Sequence, residues 1–410
     1  GAPEERSATD APSFPEEIPP MKRLGRHVLA LAGSLLFPAT GFAADDVRTF
    51  KAKATLSRHH TTNALDGPLA VSDWYTLLRG ALEETLAHEH GATRIAAEFE
   101  LRRYDTYAIE NDAAFSALAE TTVRVSDALE LRGTLSLRLA EEGDDIAVGD
   151  FLIGMRTPRA VVAAAMQAGL RLSPQTTLVV EAAASRDMPR DTRFQDDILP
   201  ATRLEPLRER LRVAATLTRT EGAFGYGLFA AAGLMRARAI GVLPEIRVAD
   251  YAARVHAALK LDDGPTLAAA AGLAMLDVPV ASFREVRPTY EISAALPLAG
   301  RLTLRGALRA AYDTASNDDP VAVWLRRAEA GAVYAAGPRL AFAAGFFRQE
   351  RDFIGLGGGE AGRGLYGEAA WQAHERLAIV LRVDASRYLP APHGIARRAL
   401  DAQIALRANL

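Results

Sequence analysis

From residue 44 onward the chain alternates apolar and polar side chains with a period of two, and only an extended strand turns that period into two faces of different chemistry. Leu129, Leu131, Gly133, Leu135, Leu137 and Leu139 fall on one face of such a strand, with Glu130, Arg132, Thr134, Ser136 and Arg138 on the other. The same dyad sets Leu302, Leu304, Gly306, Leu308, Ala310 and Tyr312 against Arg301, Thr303, Arg305, Ala307 and Arg309. Ile95, Ala97, Phe99 and Leu101 oppose Arg94, Glu98, Glu100 and Arg102, and Leu211, Val213, Ala215 and Leu217 oppose Arg210, Arg212, Thr216 and Thr218. Val255, Ala257, Leu259 and Leu261 oppose Arg254, His256 and Lys260. Each run is about ten residues long, the length a tilted strand needs to cross a hydrocarbon layer.

The punctuation between runs alternates in length. Tight turns are expected at Ser126-Asp127, Ser173-Pro174-Gln175, Glu221-Gly222, Asp262-Asp263-Gly264, Ala299-Gly300, Ala336-Gly337 and His374-Glu375, and longer polar loops at 141–159, 187–205, 237–249, 314–320, 351–363 and 389–396. Such a rhythm is that of an up-and-down barrel with short turns on one side and long loops on the other. With single strands near 47–58 and 398–410, the expected fold is an all-β, transmembrane antiparallel barrel of about 18 strands, 16 being the alternative. Segments 74–87, 160–172 and 265–276 would also pass for helix on propensity, and 146–155 for a hairpin within a loop.

Arginine and glutamate recur on the polar face too often for contact with lipid, so that face is expected to line a wet lumen and the apolar stripes to meet the bilayer. The lumen would then carry Arg94, Arg102, Arg132, Arg138, Arg210, Arg212, Arg254, Arg301, Arg305, Arg309 and Arg382, together with Glu98, Glu100, Glu130, Glu181, Glu291 and Asp384. Trp74, Tyr104, Tyr251, Tyr290, Tyr312, Trp324, Tyr334 and Tyr388 fall near strand ends, where interfacial girdles form.

Composition narrows the function classes. Lysine occurs only at Lys22, Lys51, Lys53 and Lys260, the net charge is -3 and the arginines are dispersed, a poor footprint for nucleic acid. Cysteine is absent, which removes disulfides, thiolate metal sites and cysteine nucleophiles. Met21 to Arg26 is a basic stretch, Val28 to Phe37 an apolar run too short to span a bilayer, and Gly41-Phe42-Ala43 a cleavage pattern, so 21–43 reads as a signal peptide. Residues 1–20 read as a disordered extension or upstream artefact, and 44–410 as the barrel. The terminal stripe Leu400, Ala402, Ile404, Leu406, Ala408 and Leu410 is similar to the last strand that the barrel-assembly machinery recognises, with leucine in place of the usual final aromatic.

Three constellations resemble chemical sites. Gly357, Gly359 and Gly362 have dinucleotide-fingerprint spacing, but the run Leu377, Ile379, Leu381 and Val383 that follows is a strand, so an external loop is expected and no cofactor. His88-Glu89-His90 lacks a third metal ligand and reads as a polar turn. The acidic loops at Glu141 to Asp145, Asp196-Asp197 and Asn317 to Asp319 read as solvated charge rather than cation sites.

Gly300-Arg301-Leu302-Thr303-Leu304 leads into Ala311-Tyr312-Asp313, a polar loop and then Gly337-Pro338-Arg339-Leu340-Ala341-Phe342. In this style of hairpin the run 47–410 resembles the β-barrel porin family met beside exopolysaccharide gene clusters. The resemblance implies an outer-membrane channel and export of an anionic polymer. The expected function is therefore a porin-like conduit, not an enzyme, passing anionic solutes or exported polysaccharide through an arginine-rich lumen. Its expected partners are outer-membrane lipid and lipopolysaccharide, the barrel-assembly machinery and a polysaccharide export complex. The rivals are a plugged structural or adhesin-like barrel and a lipid-modifying barrel enzyme with His256 as its base.

Overall fold

Each alternating run finds an antiparallel neighbour on both sides, and the pairing returns to its starting strand. The computed structural model describes residues 47–65, 70–148, 151–194, 198–241, 244–262, 264–298, 300–314, 321–391 and 396–409. The extension 1–20, the signal peptide 21–43, Asp196-Asp197, Asn317 to Asp319 and Leu410 lie outside them. The strands are β1 (Val47–Thr61), β2 (Asp73–His88), β3 (Gly91–Tyr104), β4 (Asp112–Arg124), β5 (Leu129–Val148), β6 (Phe151–Ser173), β7 (Thr176–Pro189), the two-residue β8 (Arg193–Phe194), β9 (Arg208–Glu221) and β10 (Phe224–Ala237). They continue as β11 (Ile246–Lys260), β12 (Thr266–Val278), β13 (Phe283–Leu298), β14 (Leu302–Asp313), β15 (Val323–Ala335), β16 (Leu340–Phe353), β17 (Gly359–His374), β18 (Leu377–Ala391) and β19 (Arg397–Asn409). All 19 belong to one sheet, and β19 pairs with β1 from Lys53↔Asn409 to Thr61↔Asp401. The short β8 pairs only with Met155 and Arg156 of β6, so the wall itself is a closed 18-stranded barrel, the larger of the two expected counts.

Closure fixes the dimensions. Following the register round the wall from Thr55 brings the path back to β1 displaced by about 22 residues, a stagger that with ordinary strand spacing gives a tilt of about 40° and a radius of about 18 Å. The segments 74–87, 160–172 and 265–276, which helix propensity favours, are strands in β2, β6 and β12, because neighbours on both sides pair their backbones and override propensity.

Directly paired residues share a face, so the register sorts every side chain. Leu135, Val255, Leu273 and Leu365 are 56%, 60%, 58% and 64% exposed on the outer face, where water would oppose them and lipid does not. Outward charge lies towards the strand ends, as at Arg48, Glu84 and Glu221 on the short-turn side and Arg186, Arg236 and Arg348 on the other. Trp74, Tyr251, Tyr290 and Tyr334 face outward as expected, joined by Phe50, Phe224, Tyr226, Phe342 and Trp371. Tyr104 and Tyr388 instead take lumenal positions, and Tyr312 and Trp324 pack edge to face beneath Arg287.

Several expected loops are strand. The 141–159 loop is a hairpin that prolongs β5 and β6, paired out to Val148↔Phe151. It is braced by Arg156, whose guanidinium donates to the carbonyls of Ala108 and Asn111 at 2.7 Å. The 237–249 loop narrows to the residues between Ala237 and Ile246. The 351–363 loop shrinks to the turn between Phe353 and Gly359, and the expected external glycine loop is mostly β17. Glycine is needed in β17 because a Cβ at Gly362 would come within 2.5 Å of the Tyr388 ring, and one at Gly364 within 2.5 Å of Phe347. Only Gly357 of the fingerprint keeps a turn conformation, at φ 73°.

Pairing between β13 and β14 stops at Tyr290↔Ala310, and the described ends of the β14–β15 connection, Thr314 and Val321-Ala322, lie against the lumenal wall. Val321 and Ala322 bury themselves there on Met235, Ala237, Val248, Leu276 and Val278. Arg210 of β9 donates from Nε to the Thr314 carbonyl at 3.1 Å, although β9 and β14 stand five strands apart in the wall. With short turns towards the periplasm, an epitope tag inserted within residues 149–150 should bind antibody on intact cells and one inserted between Ser173 and Thr176 should not. The opposite labelling would invert the topology.

Candidate functional site: the lumenal wall

The register places Arg94, Arg102, Arg132, Arg138, Arg210, Arg212, Arg254, Arg305, Arg309 and Arg382 on the polar inner face. Arg301 departs from expectation: it sits in the turn before Leu302, so the column on β14 consists of Arg305 and Arg309, with Arg301 at the short-turn end of the barrel. The carboxylates Glu98, Glu100, Glu130, Glu181, Glu291 and Asp384 share the inner face.

The arginines divide into two electrostatic groups. On the β2–β5 side they are neutralised: Arg94 meets Glu83 at 2.7 Å, Arg102 meets Asp112 at 3.0 Å, and Arg132 meets Glu120 at 2.5 Å. Arg382 is held likewise by Asp384 at 2.7 Å and Glu368 at 3.5 Å. Next to this network a cavity of ≈ 510 Å³ is lined by Glu98, Glu100, Asp112, Glu141 and Glu205 against Arg102 and Arg138.

Across the lumen the balance reverses. Among the described residues, Arg212, Arg305 and Arg309 make no ion pair there, although Asp250 acts on Arg212 through space; Arg138 makes none either, but it stands on β5 beside the acidic cavity. Arg254 reaches Glu291 at 3.7 Å and lies within electrostatic range of both Arg212 and Arg309. Once the stagger of about 1.2 residues per strand is removed, Arg138, Arg212 and Arg309 come to one height, with Arg254 within about two residues of it. Arg210, which holds the Thr314 carbonyl, stands directly above Arg212 on the same strand. The sequence alternation located these residues on one face; their common height was hidden in a register that no local pattern states.

The outer rim is also ordered by charge. Glu245, outside the spanning strands, accepts from Arg236 at 2.6 Å and Arg247 at 2.8 Å, and these two guanidiniums hold its carboxyl down at about 2. Arg284 pairs with Asp277 at 2.5 Å and Arg326 with Glu350 at 2.9 Å at the same rim. His256, the base of the rival enzyme reading, lies 3.1 Å from the Thr218 hydroxyl, and among the described residues no carboxylate hydrogen-bonds to it. Of His88-Glu89-His90, His88 ends β2 and Glu89-His90 form the turn to β3.

No protein-family model and no curated protein sequence matches the chain. Solved structures do match its fold. The copper transporter OprC superposes with a TM-score of 0.54 at 11% identity, over 88% of this chain and 80% of that one. The ferric yersiniabactin uptake receptor FyuA from Yersinia pestis superposes with a TM-score of 0.50 at 11% identity, over 90% of this chain and 81% of that one. With its closed wall, apolar outer band and polar interior, the chain is a bacterial outer-membrane β-barrel.

Proposed function

We propose that the barrel is a diffusion channel that favours anionic solutes. The observation that carries this reading is the group Arg212, Arg254 and Arg309, brought to about one height from β9, β11 and β14, with Arg254–Glu291 at 3.7 Å the one ion pair they make among the described residues. A guanidinium stays charged at every relevant pH and binds carboxylate or phosphate through two donors. Fixed positive charge around a water-filled constriction lowers the energy of an anion there, and the acidic wall opposite adds a field across the lumen. A barrel of 18 strands is wide enough for an aqueous passage, and Val321 and Ala322 of the β14–β15 connection pack on the wall inside it.

The finer reading, passage of an anionic polysaccharide, is supported by the lower site at Arg305, which gives a polymer a second point of contact on β14. The arginine-carboxylate pairs at Glu245, Asp277 and Glu350 make the rim a suitable neighbour for the phosphate groups of lipopolysaccharide.

In planar bilayers under a salt gradient, the wild-type channel should show anion selectivity, and the triple variant Arg212→Glu, Arg254→Glu, Arg309→Glu should lose or reverse it. An unchanged reversal potential in a folded variant would assign these arginines to the framework. Arg210→Ala, which frees the Thr314 carbonyl, should raise single-channel conductance and current noise. Wild-type conductance in that variant would mean that the β14–β15 connection is held without this bond.

A further inference from the structure

Where the barrel closes, β1 and β2 meet β19 with a cluster that the channel reading does not use. Ser57 Oγ lies 2.9 Å from His59 Nε2, and His59 Nδ1 lies 3.1 Å from Asp401 Oδ1. The Tyr75 hydroxyl donates to the other Asp401 oxygen, Oδ2, at 3.0 Å, and the Tyr75 ring stacks on the imidazole at 4.3 Å and 13°. Ser57 and His59 are two residues apart on one strand, so alternation directs both to the lumen, and the closing register delivers Asp401 from the far end of the chain.

The arrangement fixes each role. Asp401 accepts from Nδ1–H, which leaves Nε2 as the lone-pair nitrogen facing the serine hydroxyl. The stacked tyrosine fixes the ring plane, and its own hydrogen bond holds the carboxylate. Leu77 and Ala405 pair directly with Ser57 in the register, and Val380 pairs with Ala405, so an apolar row flanks the hydroxyl on an otherwise polar wall. Gln403, paired with His59, brings a carboxamide to the same patch. Ser57 is 3% and His59 5% exposed, so the row is closed in this conformation and turnover requires it to part on the lumenal side.

We propose that Ser57, His59 and Asp401 form a hydrolytic triad on the lumenal wall that cleaves carboxylic esters carrying a short apolar acyl chain. Ser57 Oγ bonds to the ester carbonyl carbon as its proton passes to His59 Nε2. The tetrahedral adduct expels the alcohol oxygen, which takes that proton, and leaves an acyl-serine. Water, deprotonated by His59, then attacks the acyl carbon, and Ser57 leaves with the proton to release the carboxylic acid. Asp401 is the positioning residue. The proposal does not depend on the barrel conducting ions.

The full-length barrel, refolded in detergent micelles and shown to be folded by its heat-modifiable migration, is treated with a fluorophosphonate probe and assayed on p-nitrophenyl butyrate. Mass spectrometry should find the adduct on Ser57, and Ser57→Ala or His59→Gln should lower turnover by about 10³-fold or more. Ser136→Ala, on β5 four strands away along the same lumenal wall, should leave it unchanged. Asp401→Asn should lower kcat far more than it changes KM and alter the pH profile, which a purely structural aspartate in a folded barrel would not do. No adduct on Ser57 in folded protein, or equal turnover in Ser57→Ala, overturns the triad. Turnover confined to phospholipid in vesicles, with none of the soluble ester, overturns the lumenal substrate.

Discussion

Everything in this structure depends on one constraint: within hydrocarbon every backbone N–H and C=O must find a partner in the protein. An open sheet leaves two edges, and at that depth neither has water to turn to. Pairing β1 with β19 removes both edges at once. The closed ladder then dictates stagger, tilt and radius together, so the size of the lumen follows from register rather than from side chains. Contacts between residues more than 300 positions apart, such as His59 with Asp401, arise only because of this closure.

The second level of organisation is charge. Alternation supplies two faces, but the inner face is not uniform: carboxylates pair with arginines on β2–β5, and arginines stand short of partners on β9, β11 and β14. Surface ion pairs contribute little individually, so the pairs on β2–β5 matter less for stability than for cancelling positive field on that side. What remains is concentrated opposite, near the lumenal patch against which Val321 and Ala322 pack and where Arg210 holds the Thr314 carbonyl. Stability and selectivity therefore draw on the same residue type in different company.

Much of the fold was legible because period-two alternation is a local property. It put ten arginines on the inner face, while the turn rhythm held β6 and β12 to strand against their helix propensity and left β2 open to either reading. What failed was set by partners distant in sequence. Arg301 joined the turn because Gly300, at φ 66°, reverses the chain just before it. The glycine-rich stretch near 359–364 looked like loop because its reason lies in the rings of Phe347 and Tyr388 on adjacent strands. The packing of Val321 and Ala322 on the lumenal wall has no signature in composition; it follows from an apolar lumenal patch of Met235, Val248, Leu276 and Val278 assembled from three strands. The Ser57, His59 and Asp401 cluster was not singled out in the sequence, because only the closing register brings Asp401 to the other two.

Closure is the claim from which the lumen, the arginine group and the Ser57 cluster all follow, and the absence of native cysteine makes it directly measurable. In the folded barrel, Ala54→Cys and Ala408→Cys face each other across the β1–β19 seam on the outer face and should form a disulfide on mild oxidation, joining the two ends of the chain into a slower-unfolding ring. The pair Ala54→Cys and Ile404→Cys, four residues out of register, should not cross-link. Efficient linkage of the second pair with none of the first would contradict the closing register, and with it the 18-stranded wall.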